Sequence, residues 1–246
     1  MRRWRFIAVW GVCFGCSAPV DTAAEPPAAP PVPPGLAPAA PVPSQLVAPA
    51  LTIVETPITW NDEREALTLA YRREHTQDGV DSVVIEPRVV VLHWTGGGSF
   101  AGAFATFDLP KLEGRAELAD ASALNVSAHF LVDRDGTIHR LMPEDRMARH
   151  VIGLNHVAIG VENVGDGGAN PLTDAQIEAN VAIVRDLASR HAITHVIGHH
   201  EYREMEGHPY FREADPTYRT GKSDPGDAFM AAVRAGVADL GLSGPP

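Results

Sequence analysis

Three positions in this chain carry residue types that suit a metal. His93 follows Arg88-Val89-Val90-Val91-Leu92, which reads as a buried strand delivering its last residue to the end of a sheet. A second short run, Thr194-His195-Val196-Ile197, leads through Gly198 into the adjacent pair His199 and His200. Asp224 stands in the turn Lys222-Ser223-Asp224-Pro225-Gly226. Two strand-end histidines and one loop aspartate leave a fourth coordination position open, which is the pattern of a catalytic zinc site rather than a structural one. Neighbours on a continuing strand point to opposite faces, so His199 and His200 do not both join His93. Each residue also has a bland role. A strand-end histidine can be a hydrogen-bonded core residue, and an aspartate before Pro-Gly can simply shape the turn.

The elements that must position these residues alternate irregularly. Asn61 to His75 has the pattern of an amphipathic helix, with Asn61 as N-cap and Asp62 and Glu63 in its first turn. After the strand ending at His93 come Gly96-Gly97-Gly98 and a short helix from Ser99 to Phe107. Val126 to Val132 and Gly136 to Leu141 read as two strands joined by the turn Asp133-Arg134-Asp135-Gly136. Val157 to Val164 reads as another strand. Thr173-Asp174-Ala175-Gln176 fits a capping box before a helix carrying Ile177, Val181, Val184 and Leu187. Val196 to Gly198 is the next strand, and Pro225-Gly226 opens a last helix through Phe229, Val233 and Val237. The expected fold class is α/β, a mixed central sheet with helices on its faces.

Before Leu51 the chain has a different character. Met1-Arg2-Arg3-Trp4-Arg5, a short apolar stretch from Phe6 to Gly15 and a small residue at Cys16-Ser17 make up an export signal. The apolar stretch is about half the roughly twenty residues needed to span a bilayer. Gly15-Cys16-Ser17 resembles a lipoprotein lipobox, with Cys13 departing from it, so residues 1–16 are expected to be a lipoprotein leader, with a plain secretory signal or an uncleaved segment as the alternatives. In lipoproteins a serine after the lipidated cysteine implies the outer membrane. Residues 17–50 are about three-quarters Pro, Ala and Val and hold about half of the protein's 21 prolines. Such a segment is an inert tail or a semi-rigid tether reaching ~100 Å at about 3.1 Å per residue. Residues 51–246 have the size of one domain, with nothing that argues for more than a monomer. Both cysteines fall in the leader, so a metal in the domain must rely on His, Asp or Glu. A net charge of -11 and the lack of a basic stripe argue against nucleic acid. No His-Glu-x-x-His helix is present, which argues against a zinc peptidase of that type.

His93-Trp94-Thr95, Ser127-Ala128-His129-Phe130, Asp135-Gly136-Thr137-Ile138, Ile159-Gly160-Val161-Glu162, Gly198-His199 and Lys222-Ser223-Asp224-Pro225-Gly226 follow one another in a familiar order. The stretch from Val89 to Val237 resembles the zinc-dependent N-acetylmuramoyl-L-alanine amidases of the type 2 class. That family includes phage lysozyme-type amidases and animal peptidoglycan recognition proteins. The resemblance implies a peptidoglycan recognition protein-like amidase fold and Zn2+ held by His93, His199 and Asp224. It implies Glu162 as catalytic acid/base and Lys222 as stabiliser of the transition state. Peptidoglycan or a muropeptide would be the substrate, cut between N-acetylmuramic acid and L-alanine in the cell envelope. Ala128 stands where some phage members carry a tyrosine, so a role for that tyrosine is absent here. Trp94, His129 and Asn163 are candidates for the substrate groove, His129 being either core or cleft wall. The insert Glu201 to Thr220 either walls the groove or forms a solvated loop. A peptidoglycan-binding module without turnover is the alternative function, although such modules generally lack a metal ligand.

Overall fold

In the computed structural model, residues 51–113 and 121–246 are described. The leader and the proline-rich segment expected from the sequence lie outside the described residues. A six-stranded sheet runs in the order β1-β4-β3-β5-β2-β6. Its strands are β1 (Ile53–Glu55), β2 (Val89–Trp94), β3 (Phe130–Val132), β4 (Ile138–Arg140), β5 (Ala158–Asn163) and β6 (His195–Gly198). β3, β5, β2 and β6 are parallel neighbours, whereas β4 runs antiparallel to β3 and parallel to β1. The mixed α/β class read from the sequence is therefore the observed one.

Alternation along the central strands divides their side chains between two cores. Val90, Leu92, Ile159 and Val161 pack against helix α3 (Asp174–Arg190) through Ile183, Val184 and Leu187, and against α4 (Asp227–Gly236) through Phe229, Met230 and Val233. Val89, Val91 and Ala158 face the other way, onto Tyr71, Met147, Leu154, Tyr202 and Met205. β2 and β5 are buried on both faces, which accounts for their near-continuous apolar runs.

The helix signals hold in detail. The Asn61 side chain accepts from Arg64 N at 3.0 Å and starts α1 (Asp62–Tyr71), which continues as a π turn over Arg72–Thr76. Ser99 caps α2 (Phe100–Asp108), and Thr173 with Gln176 closes a reciprocal capping box at α3. Capping satisfies amide groups that have no partner inside the helix. One expectation is corrected: the strand expected over Val126 to Val132 begins only at Phe130. Upstream of it the backbone leaves the ladder, with Ser127 N donating to Arg149 O and His129 N to Gly160 O. β1 has no counterpart among the expected strands. It is a three-residue edge strand with one intermediate and two exposed positions, too short for alternation to register. No helix among the described residues is long and apolar enough to cross a membrane.

Candidate metal centre

Register places the chemistry. β5, β2 and β6 lie side by side and parallel, with His93 opposite Glu162 and Leu92 opposite Gly198. His93, Glu162 and His199 thus emerge together at the carboxyl ends of three adjacent strands, where open parallel sheets hold their ligands. β6 ends at Gly198, and His199 opens a 3-10 helix (His199–Met205). A Cβ at Gly198 would lie 2.7 Å from the His200 ring, so the glycine makes room for His200. Asp224 arrives from the loop before α4. Its carbonyl accepts from His200 N at 2.8 Å and lies 3.0 Å from His200 Nδ1, which pins the loop to the end of β6.

His93, His199 and Asp224 form a buried cluster whose ligand atoms face one another. His93 Nδ1 is 2.9 Å from His199 Nδ1 and 3.3 Å from Asp224 Oδ2, and His199 Nδ1 is 3.0 Å from that same oxygen. Bonds of about 2.0–2.1 Å in tetrahedral geometry separate ligand atoms by about 3.3 Å, so this triangle is slightly tighter than one face of such a site. Two imidazoles and one carboxylate are also the right donor chemistry. Burial pulls His199 down to about 4, helped by the neighbouring His93 and Lys222 and opposed by Asp224. Burial alone would raise the Asp224 carboxyl, but hydrogen bonds and charge from His199 and His93 outweigh it and hold it far below the usual range. A neutral imidazole and an ionised carboxylate are the forms that bind a metal. The residues therefore fit a zinc ion. His200 stays outside the triangle, with Nε2 3.0 Å from Asp227 Oδ1.

A cleft of about 270 Å³ opens beside this cluster. Glu162, His199, Lys222, Asp224 and Trp94 line it, with Tyr71, Phe107, Arg149 and Tyr218 further along. Of the groove candidates, Trp94 is on the wall. Asn163 is not, which corrects its placement, and His129 takes the core alternative of its two readings. His129 is wholly buried, its Nδ1 accepting from Gly160 N at 3.0 Å and its Nε2 donating to Arg146 O at 2.8 Å. Burial lowers its pKa to about 4, so it is a neutral structural histidine. Asn163 is equally buried and donates to His93 O at 3.0 Å, while Asn180 donates to Asn163 Oδ1 at 2.6 Å. It braces the backbone of His93 from behind. The insert is divided: Tyr218 and Thr220 line the cleft, whereas His208 and Tyr210 pack against His195 elsewhere.

One residue at the centre escapes a reading of the sequence. His150 lies in the irregular stretch between β4 and β5 with Nδ1 3.0 Å from His93 Nε2. No period marks this stretch, and the only signal is a histidine among apolar neighbours.

The profile of the N-acetylmuramoyl-L-alanine amidase family matches residues 84–227, more than half of the chain. The chain belongs to that family. Curated relatives include the endolysin of Klebsiella phage KP32, 31% identical over 102 residues covering 39% of this chain and 68% of that protein. The endolysin of Enterobacteria phage K11 is 31% identical over 83 residues, 32% of this chain and 55% of the phage protein. Among solved structures, the N-acetylmuramoyl-L-alanine amidase LysC from Clostridium intestinale URNW aligns at 21% identity. That alignment covers 78% of this chain and 99% of LysC with a TM-score of 0.46. The amidase match spans every strand from β2 to β6 and the three residues of the buried cluster.

Proposed function

We propose that this amidase hydrolyses the amide between the lactyl group of N-acetylmuramic acid and L-alanine in peptidoglycan or muropeptides, with zinc held by His93, His199 and Asp224. What supports this most is the convergence of three buried ligand atoms on one point at the edge of a cleft that also presents Glu162 and Lys222. A zinc ion held there would supply Lewis acidity to the attacking water and the scissile carbonyl. Glu162 accepts the proton of the attacking water and passes it to the nitrogen of the departing L-alanine. A carbon–oxygen bond forms, the carbon–nitrogen bond breaks, and a carboxylate and a free amine result. The Lys222 ammonium balances the negative charge that collects on the carbonyl oxygen. Trp94 packs edge-on over Gly167, where a Cβ would lie 2.5 Å from its ring, and offers the cleft a fixed apolar wall.

In the same proposal residues 51–246 are the catalytic domain, residues 1–16 a lipoprotein leader and residues 17–50 a tether. The domain would then work as a monomer in the cell envelope, anchored at the outer membrane and facing the periplasm.

The test is to incubate the full chain, zinc-loaded, with purified peptidoglycan and seek stem peptides with an L-alanine amino terminus by mass spectrometry. Release that disappears on chelation and in Glu162→Ala is the expected result. Bound zinc and retained sacculi without release would point instead to a binding module.

A further inference from the structure

His150 is the imidazole that the chemistry above does not use. It is buried, lies against His93, and takes part in a directional chain of hydrogen bonds. Its Nε2 lies 3.3 Å from Ala158 O. A carbonyl only accepts, so this nitrogen carries a proton. An imidazole with one ring proton donates from one nitrogen and accepts at the other, which leaves Nδ1 as the acceptor. The group facing Nδ1 at 3.0 Å is His93 Nε2, which must therefore donate. With the ring proton of His93 on Nε2, its Nδ1 presents a lone pair, and this is the atom that faces His199 Nδ1 and Asp224 Oδ2.

We infer that His150 is a positioning residue that fixes the tautomer and ring angle of His93, so that Nδ1 of His93 is held ready as a ligand before any metal arrives. This rests on the proposed metal centre. The surroundings of His150 are built for that task. Gly160 faces the same side of β5 as Glu162, and a Cβ there would lie 2.7 Å from His150 Cγ and 2.8 Å from Nδ1, so only glycine admits the ring at this height. Asn155 Oδ1 accepts from both His150 N and Val151 N at 2.9 Å, fixing the backbone from which the ring projects. His93 and His150 meet edge to face with ring centroids 5.1 Å apart, and His129 closes the far side at 5.9 Å. β5, His93 and His129 thus hold the ring on three sides, and its remaining side borders the cleft. Partners of this kind orient a ligand imidazole and raise its basicity, and losing one weakens metal binding about 10–100-fold.

The experiment measures zinc affinity of the full chain by competition with a chromophoric chelator, for wild type, His150→Leu and His150→Asn. Leucine fills space without an acceptor, whereas the asparagine Oδ1 occupies the place of Nδ1. Affinity should fall about 10–100-fold in His150→Leu and recover most of that loss in His150→Asn. Long-range 15N–1H correlation spectra of the zinc-free wild type should show His93 protonated at Nε2 and bare at Nδ1. Equal affinity in wild type and His150→Leu would overturn the inference while leaving the metal centre intact, as would a wild-type His93 protonated at Nδ1. Wild type that takes up no zinc would sink both.

Discussion

Replacing Gly160 with alanine perturbs the centre through the His150 ring, while leaving the three proposed ligands unaltered. The new Cβ would lie 2.7, 2.8 and 2.9 Å from three atoms of the His150 ring, against an ordinary contact distance of 3.4–4 Å. In a close-packed interior the ring must withdraw by roughly 0.7 Å or the strand must yield. Withdrawal stretches the 3.0 Å bond to His93 to the edge of usefulness. Overpacking of this kind costs about 1–3 kcal/mol, and a lost hydrogen bond about 0.5–1.5 kcal/mol. Alanine also restricts the unfolded chain, which offsets at most about 1 kcal/mol. The net loss of about 1–3 kcal/mol corresponds to a melting midpoint lower by about 2–12 °C for a domain of this size. The assay is thermal unfolding followed by circular dichroism in the presence of chelator, so that metal binding does not enter. An unchanged midpoint would refute the close packing of the His150 ring on β5, and with it the reason for a glycine at this position.

Further outcomes can be checked alongside. Lys222→Ala should lower kcat by about 10²–10³ while zinc content stays at the wild-type level, measured by steady-state kinetics and metal analysis. Asn180→Leu removes the donor to Asn163 Oδ1 and should destabilise the fold by about 1–3 kcal/mol in urea unfolding, because a buried acceptor is left without its partner. His75 has Glu213 Oε1 at 2.8 Å from one ring nitrogen and Ala121 O at 3.0 Å from the other. Burial pulls its pKa down, but these acceptors outweigh it and raise it above the ordinary value. The stability it lends is therefore fully present below the usual histidine pKa of about 6.5 and lost as pH rises through the folded-state value. The gap in melting midpoint between wild type and His75→Gln should be widest near pH 6 and narrow on the alkaline side. A gap that widens with pH would contradict the assignment.

Legibility follows the physical signal available. Thr173 with Gln176 and Asn61 before an acidic turn announce their helices, because caps are local and short-range. Val89 to Leu92 announces a strand buried on both faces because no polar residue interrupts it. His93, His199 and Asp224 are legible as strand-end and turn residues, and their meeting point follows from the family motif rather than from spacing. The segment around Ser127 misleads because apolar residues there are buried by loops instead of a ladder, and burial alone looks the same in both. His129 and Asn163 sit in the right motifs but beneath the cleft, since a motif fixes proximity and not which side of the sheet a side chain takes. His150 is invisible in the sequence because its significance lies wholly in a contact 57 residues away along the chain.

The pairing of β2 with β5 and β6 has a consequence for the order of events as the chain folds. His93 and His199 are separated by 106 residues, and Asp224 follows His199 by 25 more. Parallel pairing over such separations comes late, because loop closure costs entropy before any contact repays it. His199 and Asp224 are linked by contacts within one stretch of the chain, but His93 joins them only when β2 pairs with β6, so the three-ligand site is complete only with the sheet. Zinc should then leave the refolding rate unchanged and slow unfolding, the signature of an interaction absent from the transition state. Metal uptake by this chain would report completion of its fold rather than guide it.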